Sequence, residues 1–106
     1  MGGGSKKILI VDDEEAIREL SKDLLKNEGY EVVTASDGKK GVELARIENP
    51  DLILMDVNMP KMNGFQALES IKKDKKTRNI PVFMFTTSTF RHLILAIEVC
   101  ADKPFV

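Results

Sequence analysis

Short strand-like runs alternate with helical patterns along this chain, and that alternation limits the fold more than any other feature. Two of the runs are wholly apolar and rich in branched side chains, which is typical of strands buried on both faces. Strand–helix alternation with short connections predicts a parallel sheet with helices on both faces. The strand-like runs span residues 8–11, 31–35, 52–55 and 81–86, and the helical patterns run from 12 to 29, from 36 to 50 and from 64 to about 73.

Apolar spacing and helix-ending residues predict the limits and the buried side of each helix. In the first pattern Gly29 is placed to end the helix as a C-cap, and Pro50 closes the second. In the third we expect Phe65, Leu68 and Ile71 to face inward. Each helix therefore has one apolar side, as a helix that covers a sheet requires.

The length and composition predict one globular domain that does not bind nucleic acid. The 106 residues include 16 basic and 17 acidic ones, for a net charge of −1. We therefore expect no nucleic-acid binding, which relies on concentrated positive charge. No apolar run is long enough to cross a bilayer, so we expect no membrane contact. Residues 1–5 are interpreted as a flexible tag or linker, which leaves residues 6–106 as the domain.

Three further features are interpreted without assigning them a functional site. Cys100 is the single cysteine and cannot form an internal disulfide, which favours a cytoplasmic location. With one thiol, and with His92 interpreted as a surface residue, a zinc site is disfavoured. The basic run at residues 72–78 is interpreted as a solvated helix end that complements the helix dipole.

Four polar residues follow or end the predicted strands. Asp12 and Asp13 follow the first strand, Asp56 follows the third, and Thr86 ends the fourth. Because carboxyl ends of parallel strands meet at one edge, these side chains should converge where doubly wound sheets bind ligands. Three carboxylates together require a cation, and an all-oxygen cluster suits Mg²⁺ or Mn²⁺. Such a site suits phosphoryl transfer to a carboxylate, with Lys103 as the candidate for the remaining positive charge.

Each of these residues also has an ordinary structural interpretation. An acidic pair after a strand is often a helix cap with a first-turn acid, and a lone aspartate is most often a turn residue. A threonine at a strand end is common β-sheet composition. Their joint placement at carboxyl ends is what favours a functional site over these alternatives.

Three segments resemble the receiver domain of two-component response regulators, including the chemotaxis regulators. Residues 7–14 read Lys-Ile-Leu-Ile-Val-Asp-Asp-Glu and resemble the opening of that family. Residues 50–60 read Pro-Asp-Leu-Ile-Leu-Met-Asp-Val-Asn-Met-Pro, followed by Asn63-Gly64, and resemble its phosphoacceptor segment. Residues 80–86 resemble its fourth strand. The resemblance covers about residues 6–87 and implies a flavodoxin-like sheet of strand order 2-1-3-4-5.

By this resemblance Asp56 is the phosphorylation site, and Thr86 is the switch hydroxyl. Mg²⁺ would be bound by the carboxylates of Asp13 and Asp56, by the main-chain carbonyl of Asn58 and, largely through water, by Asp12. The phosphodonor would be a phosphohistidine on a sensor histidine kinase or phosphotransfer protein. The chain would then be a phosphoacceptor with weak self-phosphorylation and autophosphatase activity rather than a dedicated enzyme.

The C-terminal part departs from the family pattern. Cys100-Ala101-Asp102 runs directly into Lys103-Pro104-Phe105, so the fifth strand is predicted to be shortened and the fifth helix to be missing. Lys103 matches the family lysine by motif alone, and the aromatic partner of Thr86 is lost. We expect the exposed sheet edge to cause self-association as a homodimer or larger assembly, including by exchange of C-terminal segments.

Residues 90–101 fit a helix that is apolar around much of its circumference, and a strand in a hairpin is the alternative. Two functions remain open: a working phosphoacceptor, or a truncated or engineered receiver that keeps the fold and the metal site as a structural module. A flavin-binding domain of the same topology is disfavoured, because the acidic loop after the first strand would repel a phosphate.

Overall fold

Four strands and three helices alternate in the computed structural model, which describes residues 6–57, 59 and 62–85. Each element predicted within that part is present, and most limits agree to within one or two residues. The strands are β1 (Lys7–Val11), β2 (Glu31–Ala35), β3 (Leu52–Asp56) and β4 (Val82–Phe85), and the helices are α1 (Glu15–Asn27), α2 (Gly38–Glu48) and α3 (Gly64–Lys73).

The strands form one parallel sheet in the order β2-β1-β3-β4. β2 and β3 lie on opposite sides of β1. The direction in which the chain adds strands to the sheet therefore reverses between β1 and β3. This confirms the predicted flavodoxin-like fold. The predicted fifth strand, the helix or strand at 90–101 and the region expected to mediate self-association all lie outside the described residues, and those expectations remain predictions.

Alternating side chains of the two central strands form two cores, one on each face of the sheet. Ile8, Ile10, Leu52 and Leu54 pack with Leu25 of α1 on one face. The intervening strand residues pack on the other face with buried residues of α2 and α3, among them Ala45, Ala67 and Ile71. The central strands are therefore buried on both faces, which explains their continuous apolar runs.

The prediction that Phe65 faces inward is wrong. Phe65 is 61% exposed, whereas Ile71 is fully buried as predicted and Leu68 is half-buried. The buried side of α3 is instead formed by Gly64, Ala67 and Ile71, which are spaced at helical intervals. Phe65 follows Gly64 by one residue, or about 100° around the helix, so it faces away from the sheet.

The prediction that Gly29 ends α1 is confirmed. Gly29 follows α1 with a φ of +95°, a backbone conformation that favours glycine. The predicted basic helix end includes Lys72, which is exposed in the last turn of α3 and whose ammonium donates hydrogen bonds to the carbonyls of Arg78 (3.1 Å) and Ile80 (2.9 Å). Lys72 therefore helps to hold the loop between α3 and β4. None of the helices in the described part is long and apolar enough to cross a membrane.

Candidate functional site

Three carboxylates meet at the carboxyl edge of the sheet, where the winding reverses. Asp12 follows β1 directly and Asp56 ends β3, and these strands are parallel neighbours with Val11 paired to Met55. The residues after that pair therefore lie side by side. Asp13 completes the group, and one carboxylate oxygen from each of the three lies within 4.8 Å of the others. The predicted convergence of these three carboxylates is confirmed.

The carboxylates differ sharply in their surroundings. Asp12 and Asp56 are fully buried, whereas Asp13 is exposed. Burial is the main cause that raises the pKa of Asp12 from 3.8 to about 7, and the charges of Asp56 and Asp13 add to it. A hydrogen bond from the Glu14 main-chain N–H acts in the opposite direction. Without a cation, the ionised cluster is therefore costly to the folded protein.

The polar atoms of Asp12 are fixed by protein contacts, with one exception. Its N–H donates to the Ala35 carbonyl (3.1 Å), its Oδ1 accepts from Glu14 N–H (2.9 Å), and its carbonyl accepts from the Arg18 guanidinium (2.9 Å). The buried Oδ2 has no hydrogen-bond partner within the part of the chain that the structure describes. A buried carboxylate oxygen without a protein partner fits a cation ligand.

The donor set determines which cation fits. Carboxylate oxygens are hard ligands, and among the described residues the cluster contains neither cysteine nor histidine. Mg²⁺ and Mn²⁺ prefer such oxygens, and Mg²⁺ is usually held by one or two carboxylates with several waters. The three side chains therefore fit either of these ions.

The segment that joins Asp56 to α3 is held by hydrogen bonds at its first residue, Val57, and at its last, where Gly64 begins α3. Val57 N–H donates to the Phe85 carbonyl of β4 (2.7 Å), and Gly64 N–H donates to the Val57 carbonyl (3.0 Å). Asn63 then forms a reciprocal capping box with Gln66 at the start of α3. Asp56 is thereby held between the sheet and the first turn of a helix.

Three predicted site residues, Asn58, Thr86 and Lys103, lie outside the described residues. Phe85, which precedes Thr86, pairs directly with Asp56 across β3 and β4. Sequence reasoning missed Arg18, whose guanidinium contacts the Asp12 carbonyl from α1. The only signal for it in the sequence is a basic residue placed after four consecutive acids, which is too common a pattern to predict a contact.

Gly64 allows the first turn of α3 to lie close to the backbone of Asp56 and Val57. We expect Gly64→Ala to lower the free energy of unfolding by about 2–3 kcal/mol. A Cβ at Gly64 would collide with the Asp56 carbonyl oxygen and lie 2.9 Å from Val57 Cα, both of them backbone atoms. Alanine normally favours a helix over glycine, so a loss is a specific sign of this collision. Urea denaturation measures the change. Gly29→Ala adds only backbone strain, because no atom of the described residues lies within 4 Å of its Cβ. It should cost less than Gly64→Ala, and the reverse order would contradict the explanation.

Comparisons with known proteins agree on one family. A family model described as the response regulator receiver domain matches residues 8–103. The chain is 40% identical over 106 residues to the alkaline phosphatase synthesis transcriptional regulatory protein PhoP of Bacillus subtilis, covering 95% of this chain and 43% of that protein. It is 46% identical over 81 residues to protein PilH of Pseudomonas aeruginosa, covering 76% of this chain and 67% of that protein.

Solved structures show the same similarity. The N-terminal domain of a response regulator receiver protein from Methanoculleus marisnigri superposes with a TM-score of 0.73 at 33% identity, covering 92% of this chain and 97% of that one. The chain spans less than half of the length of PhoP, so the similarity extends to one part of that regulator.

Proposed function

The chain belongs to the response regulator receiver domain family, and we propose that Asp56 accepts a phosphoryl group from a phosphohistidine with the help of Mg²⁺. Receiver domains interact with sensor histidine kinases, so the proposed donor is such a kinase or a phosphotransfer protein. Mn²⁺ has similar ligand preferences and is expected to replace Mg²⁺.

One observation carries this proposal. Asp12, Asp13 and Asp56 bring three carboxylate oxygens within 4.8 Å of one another, and Asp12 Oδ2 is buried without a hydrogen-bond partner among the described residues. Such a cluster is costly without a cation, and the raised pKa of Asp12 expresses that cost. A divalent cation would offset most of the negative charge of the three carboxylates, and it would bring positive charge to the place where a phosphoryl group would react.

The proposed reaction transfers the phosphoryl group between two nucleophiles. A carboxylate oxygen of Asp56 attacks phosphorus, the new phosphorus–oxygen bond forms, and the bond from phosphorus to the histidine nitrogen breaks with its electron pair left on the imidazole. If the other ring nitrogen carries a proton, the released imidazole is neutral; otherwise the nitrogen that held the phosphoryl group takes up a proton from solvent. When bound, Mg²⁺ shields the negative charge of the phosphoryl oxygens and helps to hold them in line.

The remaining roles are assigned by the family resemblance. Asp12 and Asp13 would hold the cation together with Asp56 and with the Asn58 carbonyl. Thr86 would donate its hydroxyl to a phosphoryl oxygen, and Lys103 would supply a fixed positive charge. The aspartyl phosphate would hydrolyse slowly, which makes the phosphorylated form temporary. The structural-module alternative has no observation in its favour among the described residues.

Acetyl phosphate provides the direct test, because it supplies a phosphoryl group without a kinase. Incubation of the full chain with acetyl phosphate and Mg²⁺ should add one phosphoryl group by intact-mass spectrometry. Chelation of Mg²⁺ with EDTA should prevent the gain, and hydroxylamine, which cleaves acyl phosphates, should reverse it. No gain at saturating Mg²⁺, or a gain that resists hydroxylamine, would overturn the proposal.

A further inference from the structure

Arg18 makes a contact that the proposed function leaves unexplained. Its guanidinium donates a hydrogen bond of 2.9 Å to the main-chain carbonyl of Asp12, six residues earlier. Residues 12–15 are four consecutive acids and lie within one or two helical turns of Arg18 in sequence. Arg18 nevertheless makes no ion pair with a carboxylate in the described ranges. Its position is therefore defined by a backbone group rather than by the nearest negative charge.

The turn between β1 and α1 depends on few contacts. Within the described part of the chain, the N-cap residue of α1, Glu14, makes no side-chain capping hydrogen bond, whereas Asp37 and Asn63 cap α2 and α3. In place of a cap, Asp12 Oδ1 accepts from Glu14 N–H and Arg18 reaches back to the Asp12 carbonyl. The residue that these contacts hold is the one that carries the buried, unpartnered Oδ2.

We infer that Arg18 is a positioning residue for the metal site, which holds the Asp12 peptide group so that the carboxylate with the unpartnered Oδ2 keeps its place in the cluster. Three of the four polar atoms of Asp12 have protein partners, and Arg18 supplies one of them. Fixing those atoms leaves Oδ2 as the ligand and reduces the ordering that cation binding would otherwise require. This inference rests on the proposed function, because it concerns the cation that Asp12 is proposed to hold.

The charge of Arg18 would act in the opposite direction, since a nearby guanidinium repels a metal ion. The partner of the guanidinium is, however, the main-chain carbonyl of Asp12 and not its carboxylate. The contact therefore acts on the carboxylate through the backbone, and we expect loss of Arg18 to weaken cation binding rather than strengthen it.

Isothermal titration of the full chain with MgCl₂, at a pH above the Asp12 pKa, tests this sign. Arg18→Met should raise the Kd for Mg²⁺ by about tenfold, as expected for one charge-assisted hydrogen bond, and Arg18→Lys should raise it by about threefold. Lys22→Met is the matched control, because it removes the same charge from α1 one turn further on, and the described hydrogen-bond partners of Asp12 do not include Lys22. Its Kd should stay within about twofold of the wild type.

Hydrogen exchange supplies a readout without metal. The Glu14 amide, which donates to Asp12 Oδ1, should exchange faster in Arg18→Met than in the wild type, while the Lys40 amide at the cap of α2 should not change. A purely structural role would speed exchange at Glu14 and leave the Kd unchanged, and that result would overturn the inference. Tighter Mg²⁺ binding by Arg18→Met would overturn it too.

The possible failures are distinguishable. If the wild type binds Mg²⁺ and is phosphorylated, but Arg18→Met has the same Kd, the inference alone is wrong. If the wild type binds no Mg²⁺, the proposed metal site and the inference fail together. Should Arg18→Met not fold, Arg18→Lys and Lys22→Met still decide the question, because an Arg18→Lys Kd equal to that of the control contradicts a positioning role.

Discussion

Asp56→Asn is expected to abolish phosphorylation by acetyl phosphate, which would be the largest effect of any single substitution in the site. The nitrogen electron pair of the asparagine amide is delocalised and its oxygen carries no full charge, so neither atom attacks phosphorus. The substitution also removes one of the three carboxylates that lie within 4.8 Å of one another. We expect the initial rate of phosphoryl gain, measured by intact mass, to fall by at least about a thousandfold.

Two further variants separate the nucleophile from the metal ligands. Asp13→Asn keeps Asp56 but loses an exposed carboxylate of the cluster, so its slower phosphorylation should recover at high Mg²⁺ concentration. Asp56→Asn should not recover at any concentration. Asp23→Asn on α1 makes the same charge change at an exposed position and should match the wild type. Phosphorylation of Asp56→Asn at the wild-type rate would mean that another residue is the acceptor.

The sequence predicted the described elements well, because their signals are local. Continuous apolar runs identify strands that are covered on both faces, and glycine or proline marks the helix ends. The errors occur where the decisive contact is distant along the chain. β3 extends to Asp56 because Asp56 pairs with Phe85, and Phe65 is exposed because the small residues Gly64 and Ala67 approach the sheet.

The same distinction applies to the site. That Asp12, Asp13 and Asp56 converge follows from parallel strands alone, so the topology was sufficient to predict it. Which of them is buried, and that Oδ2 of Asp12 lacks a partner among the described residues, depends on side-chain directions that no periodicity reveals. The Arg18 contact spans six residues and depends on a long side chain, so no sequence rule predicted it.

Asp12→Asn should make the metal-free protein more stable while it removes most of its affinity for Mg²⁺. The wild-type carboxyl has a pKa of about 7 in the folded protein against an ordinary value of 3.8. Ionising it above pH 7 therefore costs roughly 2–4 kcal/mol of folding free energy. Asparagine avoids that cost, since its Oδ1 can still accept from Glu14 N–H and its amide can donate to the neighbouring carboxylates.

The pH dependence has a definite sign. Between about pH 4 and about pH 7, folded Asp12 retains a proton that the unfolded chain has lost. The folded state then binds more protons, so the Asp12 contribution makes the free energy of unfolding fall as pH rises through this window and level off above it. Urea denaturation in EDTA across that range should show this fall in the wild type, and it should be reduced in Asp12→Asn.

Added Mg²⁺ should reverse the order of the two proteins. The cation binds the folded wild type and stabilises it by mass action, whereas Asp12→Asn has lost the buried ligand and should gain little. Asp37→Asn removes the same charge outside the cluster and keeps a helix-capping side chain, so it should stay within about 0.5 kcal/mol of the wild type. A metal-free Asp12→Asn that is less stable than the wild type above pH 7 would mean that Asp12 supports the fold rather than the site. The opposite result would show that this chain retains a destabilising buried charge that a bound cation relieves.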